Sequence, residues 1–280
     1  MDIVQVVVLA LIQGLTEFLP ISSSGHLVVT SQIIGWPDQG MRFDVAVHVG
    51  TLLAVVVYFW RDMGRMVYGL FSPLWGRAGE ETRLFWNVFV GTIPLALAGF
   101  LLSQVEATSN GVLDYVLRNP VVNGGAFIVF GCVLWLADAL APRVAKVRDM
   151  GPMGALFIGL AQVLALIPGT SRAGITITAA RLLGYDRDEA ARFSFLLAIP
   201  AIAGAGFVIG RELVQQGDLA LTHDALIGAA IAFAAAMLAI ALLMAWVRRA
   251  SYLPFVIYRI LFGAFLIYWF YDPASAASGG

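Results

Sequence analysis

The sequence predicts an all-α polytopic membrane protein, with six transmembrane helices plus two re-entrant helix-loop-helix hairpins in an inverted-topology repeat. Three observations lead there. Hydrophobic residues make up 60% of the chain and charged residues 12%, with a mean hydropathy of +0.86; a soluble domain carries about twice that charge. Six apolar runs are long enough to cross a bilayer. Two further pairs of shorter runs are each broken by a proline and a cluster of small hydroxyl residues, at matching places in the two halves of the chain.

Taken in order, the chain begins without a positive n-region or a small-residue cleavage site before His26, so its start reads as mature structure. Segments 2–18 and 26–34 flank the first break, Gln13-Gly-Leu-Thr-Glu-Phe-Leu-Pro-Ile-Ser-Ser-Ser-Gly-His26. Each falls short of the roughly 20 residues needed to cross about 30 Å of hydrocarbon, so together they read as one hairpin, 2–35. Spans at 41–60, 84–103 and 121–140 complete a first repeat, 1–140, with the mixed charges between Arg61 and Arg83 read as a solvated connector. Segments 152–167 and 173–183 flank the second break, Ile167-Pro-Gly-Thr-Ser-Arg-Ala-Gly-Ile-Thr176, and form hairpin 150–184. Spans at 190–210, 224–247 and 254–271 complete the second repeat, 150–272. The small, polar tail 274–280 reads as flexible, and the whole as one integral membrane domain, 1–280.

Placing Pro20 over Pro168 sets Ser22 and Ser23 over Thr170 and Ser171; a one-residue slip then sets Gly25 over Gly174. Paired interruptions of this kind point to a binding site built from unwound backbone. Non-helical backbone at membrane depth is tolerated only where protein or a polar cavity satisfies it. A hairpin plus three spans is an odd number of crossings, so the second repeat inserts upside down. Positive residues support that topology: Arg61, Arg65, Arg77, Arg83, Arg143, Lys146, Arg148, Arg187, Arg248 and Arg249 all fall on one side, against Arg42, Arg118 and Arg211 on the other. By the positive-inside rule both termini are outside and the hairpins enter from opposite faces.

Some functions are excluded at this level. A net charge of −1 argues against nucleic acid as a partner, and the single Cys132 excludes an intrachain disulfide or a Cys-based metal site. The breaks carry more selective chemistry. Glu17 is an ionisable residue in an apolar helix, where a mid-bilayer charge costs about 2.5 to 3.5 kcal/mol. Gln13 lies four residues earlier on the same face, so the pair could offer an amide and a carboxylate to Mg²⁺ or Ca²⁺; hydrogen bonding of Glu17 for helix packing is the alternative.

Ser22, Ser23 and Ser24 stand beside His26, whose ordinary pKa suits proton transfer. Serine and histidine are a nucleophile and base pair, and equally a helix N-cap with a structural histidine. Arg172 follows Gly169, Thr170 and Ser171 at an expected helix N-terminus, where free amides favour an anion and a guanidinium can bind phosphate bidentately. Thr176, one turn later, could add a hydroxyl, while His48 and Arg259 could line the cavity or snorkel and pack. An anion pocket of this composition could hydrolyse a lipid-borne phosphate, or carry one as a transporter or lipid flippase would.

The pattern Gln-x-x-x-Glu running into Phe-Leu-Pro-x-Ser-Ser-x-Gly-His, followed by Pro-Gly-x-Ser-Arg-x-Gly-x-Thr, resembles the bacterial undecaprenyl pyrophosphate phosphatases, or bacitracin-resistance proteins. The likeness extends to chain length, to the half-chain repeat and to Phe193-Ser-Phe-Leu-Leu-Ala-Ile-Pro200. It implies hydrolysis of undecaprenyl pyrophosphate to undecaprenyl phosphate and inorganic phosphate, recycling the carrier lipid for peptidoglycan synthesis with a divalent cation. The setting it implies is the bacterial inner membrane, with bilayer lipids and a second copy of the chain as candidate partners. Gln13 and Glu17 match the family's cation and pyrophosphate motif; Ser22, Ser23 and His26 its Ser and His motif; Ser171, Arg172 and Thr176 its phosphate-binding motif. Gln13 stands where Glu is frequent and Ala173 where Ser is frequent, which leaves Glu17 as the principal carboxylate. The nucleophile stays open among His26, Ser23 and water. The hairpin carrying Glu17 enters from the side poor in positive residues, so the site is expected to open to the periplasm or exterior.

Overall fold

A computed structural model of the chain describes residues 1–36, 40–109, 119–215 and 223–271. Among these the architecture is helical: α1 (Ile3–Thr16), α2 (Ser23–Ile34), α3 (Met41–Tyr58), α4 (Trp60–Phe71), α5 (Glu80–Ser109), α6 (Pro120–Leu140), α7 (Pro152–Gln162), α8 (Arg172–Leu182), α9 (Arg187–Gln215), α10 (His223–Val247) and α11 (Leu253–Phe270). The one β pairing among the described residues is an isolated bridge between Ala145 and Tyr185. Six helices, α3, α5, α6, α9, α10 and α11, are long and apolar enough to cross a membrane. They coincide with the six expected spans to within a few residues, except that α5 begins four residues before 84 and runs six beyond 103, and α9 runs five beyond 210. Arg118 and the tail 274–280 lie outside the described residues.

One expectation is corrected. The segment from Arg61 to Arg83 is not an irregular connector: its first half is α4, followed by a 3₁₀ turn over Ser72–Trp75. Its charges share the sequence with apolar residues at helical spacing. Asp62, Met66 and Gly69 face inward, while Trp60, Val67, Tyr68, Leu70 and Phe71 are exposed. Aromatic residues on one helix surface suit the membrane-water boundary. Charge density alone concealed that periodicity.

The helix directions bring the basic loops together at one end of the bundle. Arg83 donates to the Arg148 carbonyl, and the Val147 amide to Glu189 Oε2 at 2.9 Å. Asp138, at the end of α6, accepts from Arg181 Nε at 3.2 Å, from Arg187 Nε and Nη2 at 2.7 Å each and from the Tyr252 amide at 3.1 Å. Arg143, Arg187, Arg248 and Arg249 line one cleft there. At the other end, the Met1 ammonium meets Asp224, at the start of α10, at 2.9 Å. Because α11 also runs away from the basic end, Met1 and Phe270 share a side of the bundle.

Packing interleaves the two halves of the chain. α10 lies along α1 and α3, α7 lies on α5, and α6 and α11 cross in close contact. At that last crossing the backbones touch. A Cβ added to Gly124 would stand 2.7 Å from the Gly263 carbonyl oxygen, and one added to Gly263 would stand 2.6 Å from that of Gly124. Small residues permit such close helix contact in membranes, where lipid tails are as apolar as leucine. α8 is wedged among the long helices, with Ala173, Ile177 and Ala180 fully buried, while α7 buries Ile158 and leaves Met153, Phe157 and Leu160 exposed. The breaks themselves are inside protein, with Phe18, Ile21 and Ser22 of the first and Thr170 and Ser171 of the second buried.

Candidate active site

Each break ends in the same backbone irregularity. Among the described residues, the non-glycine positions with positive φ are Ser22 and Ser171, both at 69°. A side chain in this region costs of order 1–3 kcal/mol and persists only where its surroundings enforce it. Each serine immediately precedes a helix, α2 or α8, and its carbonyl accepts from the amide four residues on: His26 N at 3.4 Å and Ile175 N at 2.9 Å. Ser171 Oγ also caps α8, accepting from the Gly174 amide at 3.1 Å. Matching the strained serines moves the repeat register by one residue from the proline alignment. Ser23 then corresponds to Arg172, Gln13 to Gln162, Glu17 to Leu166 and Pro20 to Gly169. One register then covers Gln13 through Gly25 without a slip, and the prolines are not equivalent.

The two breaks meet at Glu17. Its Oε2 accepts from Ser23 Oγ at 2.7 Å and from Gln13 Nε2 at 2.9 Å, and its Oε1 accepts from Arg172 Nη2 at 3.0 Å. The Glu17 side chain is only 8% exposed and that of Arg172 13%, so this ion pair is largely withdrawn from bulk solvent. A small cavity of about 80 Å³ lies against the cluster, lined by Glu17, Ser22, Ser23 and Ser24 from one break and Ser171 and Arg172 from the other. Among the described residues, four side-chain atoms are buried without a hydrogen-bond partner: Gln13 Oε1, Thr170 Oγ1, Arg172 Nη1 and Gln162 Oε1. Buried polar atoms are rarely left unsatisfied, and orphans beside a polar cavity mark where a ligand completes the network. Two larger clefts, of about 310 and 300 Å³, lie among the basic loops. Of the cations lining the first, Arg192 pairs with Asp62 and Glu189, and Arg65 with Asp62.

The remaining expected residues fall around this centre. Ser24 is exposed, with its Oγ 3.3 Å from Ser22 Oγ. Gly169 has φ +88°, and a Cβ there would stand 2.6 Å from the Asn123 carbonyl oxygen, so α6 backs directly onto the second break. Thr176 is turned into the α8–α9 contact, its Oγ1 2.6 Å from Ser194 Oγ and 2.8 Å from the Arg172 carbonyl. His26 stands behind the first break rather than beside the cavity. Its Nδ1 is 2.6 Å from the Ser22 carbonyl oxygen and its Nε2 2.5 Å from Tyr258 Oη, and its ring stacks on Phe262 with centroids 4.5 Å apart. A carbonyl only accepts, so Nδ1 carries the proton; in the neutral ring Nε2 then accepts from the tyrosine hydroxyl. His48 Nδ1 is likewise tied to a backbone carbonyl, that of Asp44, at 2.7 Å. Tyr258 is a site neighbour that sequence reasoning missed, since a tyrosine in a terminal apolar span reads as an interface anchor.

A divalent cation fits what is present only in part-protein form. Among the described residues no three His, Cys, Asp or Glu side chains cluster. Glu17 offers a carboxylate, and the orphaned Gln13 Oε1 an amide oxygen on the residue hydrogen-bonded to it. That suits an ion that takes most of its shell from water and phosphate.

These elements define a class: a polytopic membrane protein in which a carboxylate, hydroxyls and a guanidinium from two helix breaks meet at one small cavity. The comparisons narrow the class. The family described as bacitracin resistance protein BacA matches residues 6–265. The chain is 46% identical over 271 residues to a protein of Alteromonas mediterranea named undecaprenyl-diphosphatase, covering 96% of this chain and 99% of the relative. It is 49% identical over 270 residues to one of the same name from Chromohalobacter salexigens, covering 96% and 99%. A Rhodospirillum rubrum protein named undecaprenyl-diphosphatase 1 is 46% identical over 279 residues, with 95% of each chain covered. The chain belongs to the BacA family.

Proposed function

We propose that this chain is an integral membrane phosphatase that hydrolyses undecaprenyl pyrophosphate to undecaprenyl phosphate and inorganic phosphate, returning the carrier lipid to cell-wall synthesis. The observation that carries this reading is the shared carboxylate of Glu17, held between the Ser23 hydroxyl at 2.7 Å and the Arg172 guanidinium at 3.0 Å. That geometry pairs a nucleophile with a base and sets an anion receptor next to both. The relatives' name supplies the substrate class.

In the mechanism we favour, Ser23 Oγ attacks the terminal phosphorus while Glu17 takes its proton. The Ser23 Oγ–P bond forms, the anhydride P–O bond breaks, and the proton passes from Glu17 to the undecaprenyl phosphate as it departs. Water then attacks the phosphoserine while the freed Glu17 carboxylate takes its proton; the Ser23 Oγ–P bond breaks, phosphate leaves, and Glu17 returns that proton to Ser23 Oγ. Phosphoryl transfer depends chiefly on positioning and charge stabilisation. Arg172, with its free Nη1, the Thr170 hydroxyl and the amides at the start of α8 neutralise the pyrophosphate oxygens. A divalent cation held by Glu17 and Gln13 would supply further charge neutralisation. His26 supports the strained Ser22 that precedes the nucleophile and holds its tautomer through Tyr258.

The setting proposed is the bacterial cytoplasmic membrane, with the two helix pairs as re-entrant hairpins of an inverted repeat. The ten basic loop residues face the cytoplasm, and both termini and the mouth of the site face the periplasm or exterior. Phosphate release from a long-chain isoprenoid pyrophosphate by purified protein in detergent, compared with Ser23→Ala and Arg172→Ala, tests the assignment. Loss of activity in both variants is expected; full activity in either removes that residue from the mechanism.

A further inference from the structure

The last span carries a cation in an unusual environment. Arg259, in α11, is 0% exposed, and among the described residues it has no carboxylate partner. Every donor group of its guanidinium goes to main-chain carbonyls instead. Nη1 donates to Pro20 O at 3.0 Å; Nη2 to Gly169 O at 2.9 Å, Thr170 O at 3.0 Å and Ala126 O at 3.4 Å; Nε to Phe127 O at 3.2 Å. Burying an arginine without a counter-ion is expensive, and burying unpaired carbonyls in the unwound parts of a membrane protein is expensive too. Here each cost offsets the other.

The choice of carbonyls gives the contact its meaning. With the strained serines matched, Pro20 and Gly169 are equivalent residues, each two positions before its serine. The two terminal nitrogens of one side chain therefore grip the same atom of the two breaks. A planar fork with fixed spacing is suited to this, whereas an ammonium is a single point of donation. Glu17 and Ser23 belong to the first break and Arg172 to the second, so the register between the breaks is the register between base, nucleophile and anion receptor.

We infer that Arg259 is a positioning residue, a clamp that fixes the two breaks relative to one another so that Ser23 and Glu17 meet the phosphate held by Arg172. This rests on the phosphatase reading above. Displacement of reacting groups by about 1 Å can cost 10²-fold in rate. The clamp does not line the cavity, and loss of transition-state alignment lowers kcat with substrate binding kept.

The test uses the full-length protein in detergent with a long-chain isoprenoid pyrophosphate, comparing wild type, Arg259→Lys, Arg259→Met, Arg172→Ala and Leu266→Ala. Leu266 is a fully buried residue of the same helix away from the breaks, and its truncation reports what lost stability alone does. Arg259→Lys and Arg259→Met are expected to lower kcat about 100-fold with KM within about threefold. Leu266→Ala is expected to lower the melting temperature with kcat within about threefold. Wild-type kcat in Arg259→Lys overturns the clamp, because retained charge without a fork is then sufficient. So does a kcat loss no greater than that of Leu266→Ala, a rise in KM alone, or failure of both Arg259 variants to fold. A wild type inactive towards the substrate sinks the phosphatase reading; activity lost in Arg172→Ala but kept in the Arg259 variants sinks the clamp alone.

Discussion

At the scale of single residues, the site is a short network in which Glu17 accepts from three donors belonging to both halves of the chain. Removing its charge while keeping its shape leaves Ser23 without a base. Glu17→Gln is therefore expected to lower kcat by about 10² to 10⁴-fold, the usual worth of general-base catalysis, measured as phosphate release. Gly169 is constrained twice, by φ +88° and by the Asn123 carbonyl behind it. Gly169→Ala should destabilise the protein by about 1–3 kcal/mol and lower activity with it, seen as a lower melting temperature in detergent; an unchanged melt would contradict the geometry. The motif residues Glu17, Ser23 and Arg172 were legible because an ionisable group in an apolar run has to be explained. Tyr258 was not, and neither was the task of Arg259, because both depend on a contact between positions more than 85 residues apart. The orientation of His26 was also illegible: adjacency in sequence to three serines does not say which way a helix turns its ring.

At the scale of elements, hydrophobic length located all six spans, and the proline and hydroxyl clusters located both breaks. Backbone conformation was legible only approximately. Aligning prolines put the repeat one residue out, because Pro20 stands opposite Gly169 and not Pro168, while the φ of +69° at Ser22 and Ser171 marks equivalence. α4 was missed because its charges outweighed its periodicity. The crossing of α6 and α11 yields a prediction at this scale, since it holds Arg259 against the breaks. Gly263→Val would drive side-chain atoms into the Gly124 carbonyl, and overpacking of this kind typically costs about 1–3 kcal/mol. A lowered melting temperature together with lowered kcat is expected; a lowered melt with unaltered kcat would show that the crossing serves stability only.

At the scale of the whole molecule, the fold places chemically unequal copies of one motif face to face. The first copy keeps Glu17 where the second has Leu166, and the second places Arg172 where the first has Ser23. A symmetric pair would bring two carboxylates or two guanidiniums together; divergence makes the pair complementary. The proposed orientation is testable with the single native Cys132 removed and one cysteine restored at a time. Cysteine at position 249 should be labelled by membrane-impermeant thiol reagents only after the cells are opened, and cysteine at position 2 in intact cells. Chelation should reduce activity, with Mg²⁺ or Ca²⁺ restoring it; activity indifferent to chelator would remove the cation from the proposal. The most direct measurement of the central claim is a double-mutant comparison across the breaks: phosphate release from undecaprenyl pyrophosphate by wild type, Ser23→Ala, Arg172→Ala and the double variant. One composite site predicts that each single change abolishes most activity and that the double variant is little worse than either, because groups acting as a unit are strongly non-additive. Full independence of the two losses, or full activity in either single variant, would contradict it.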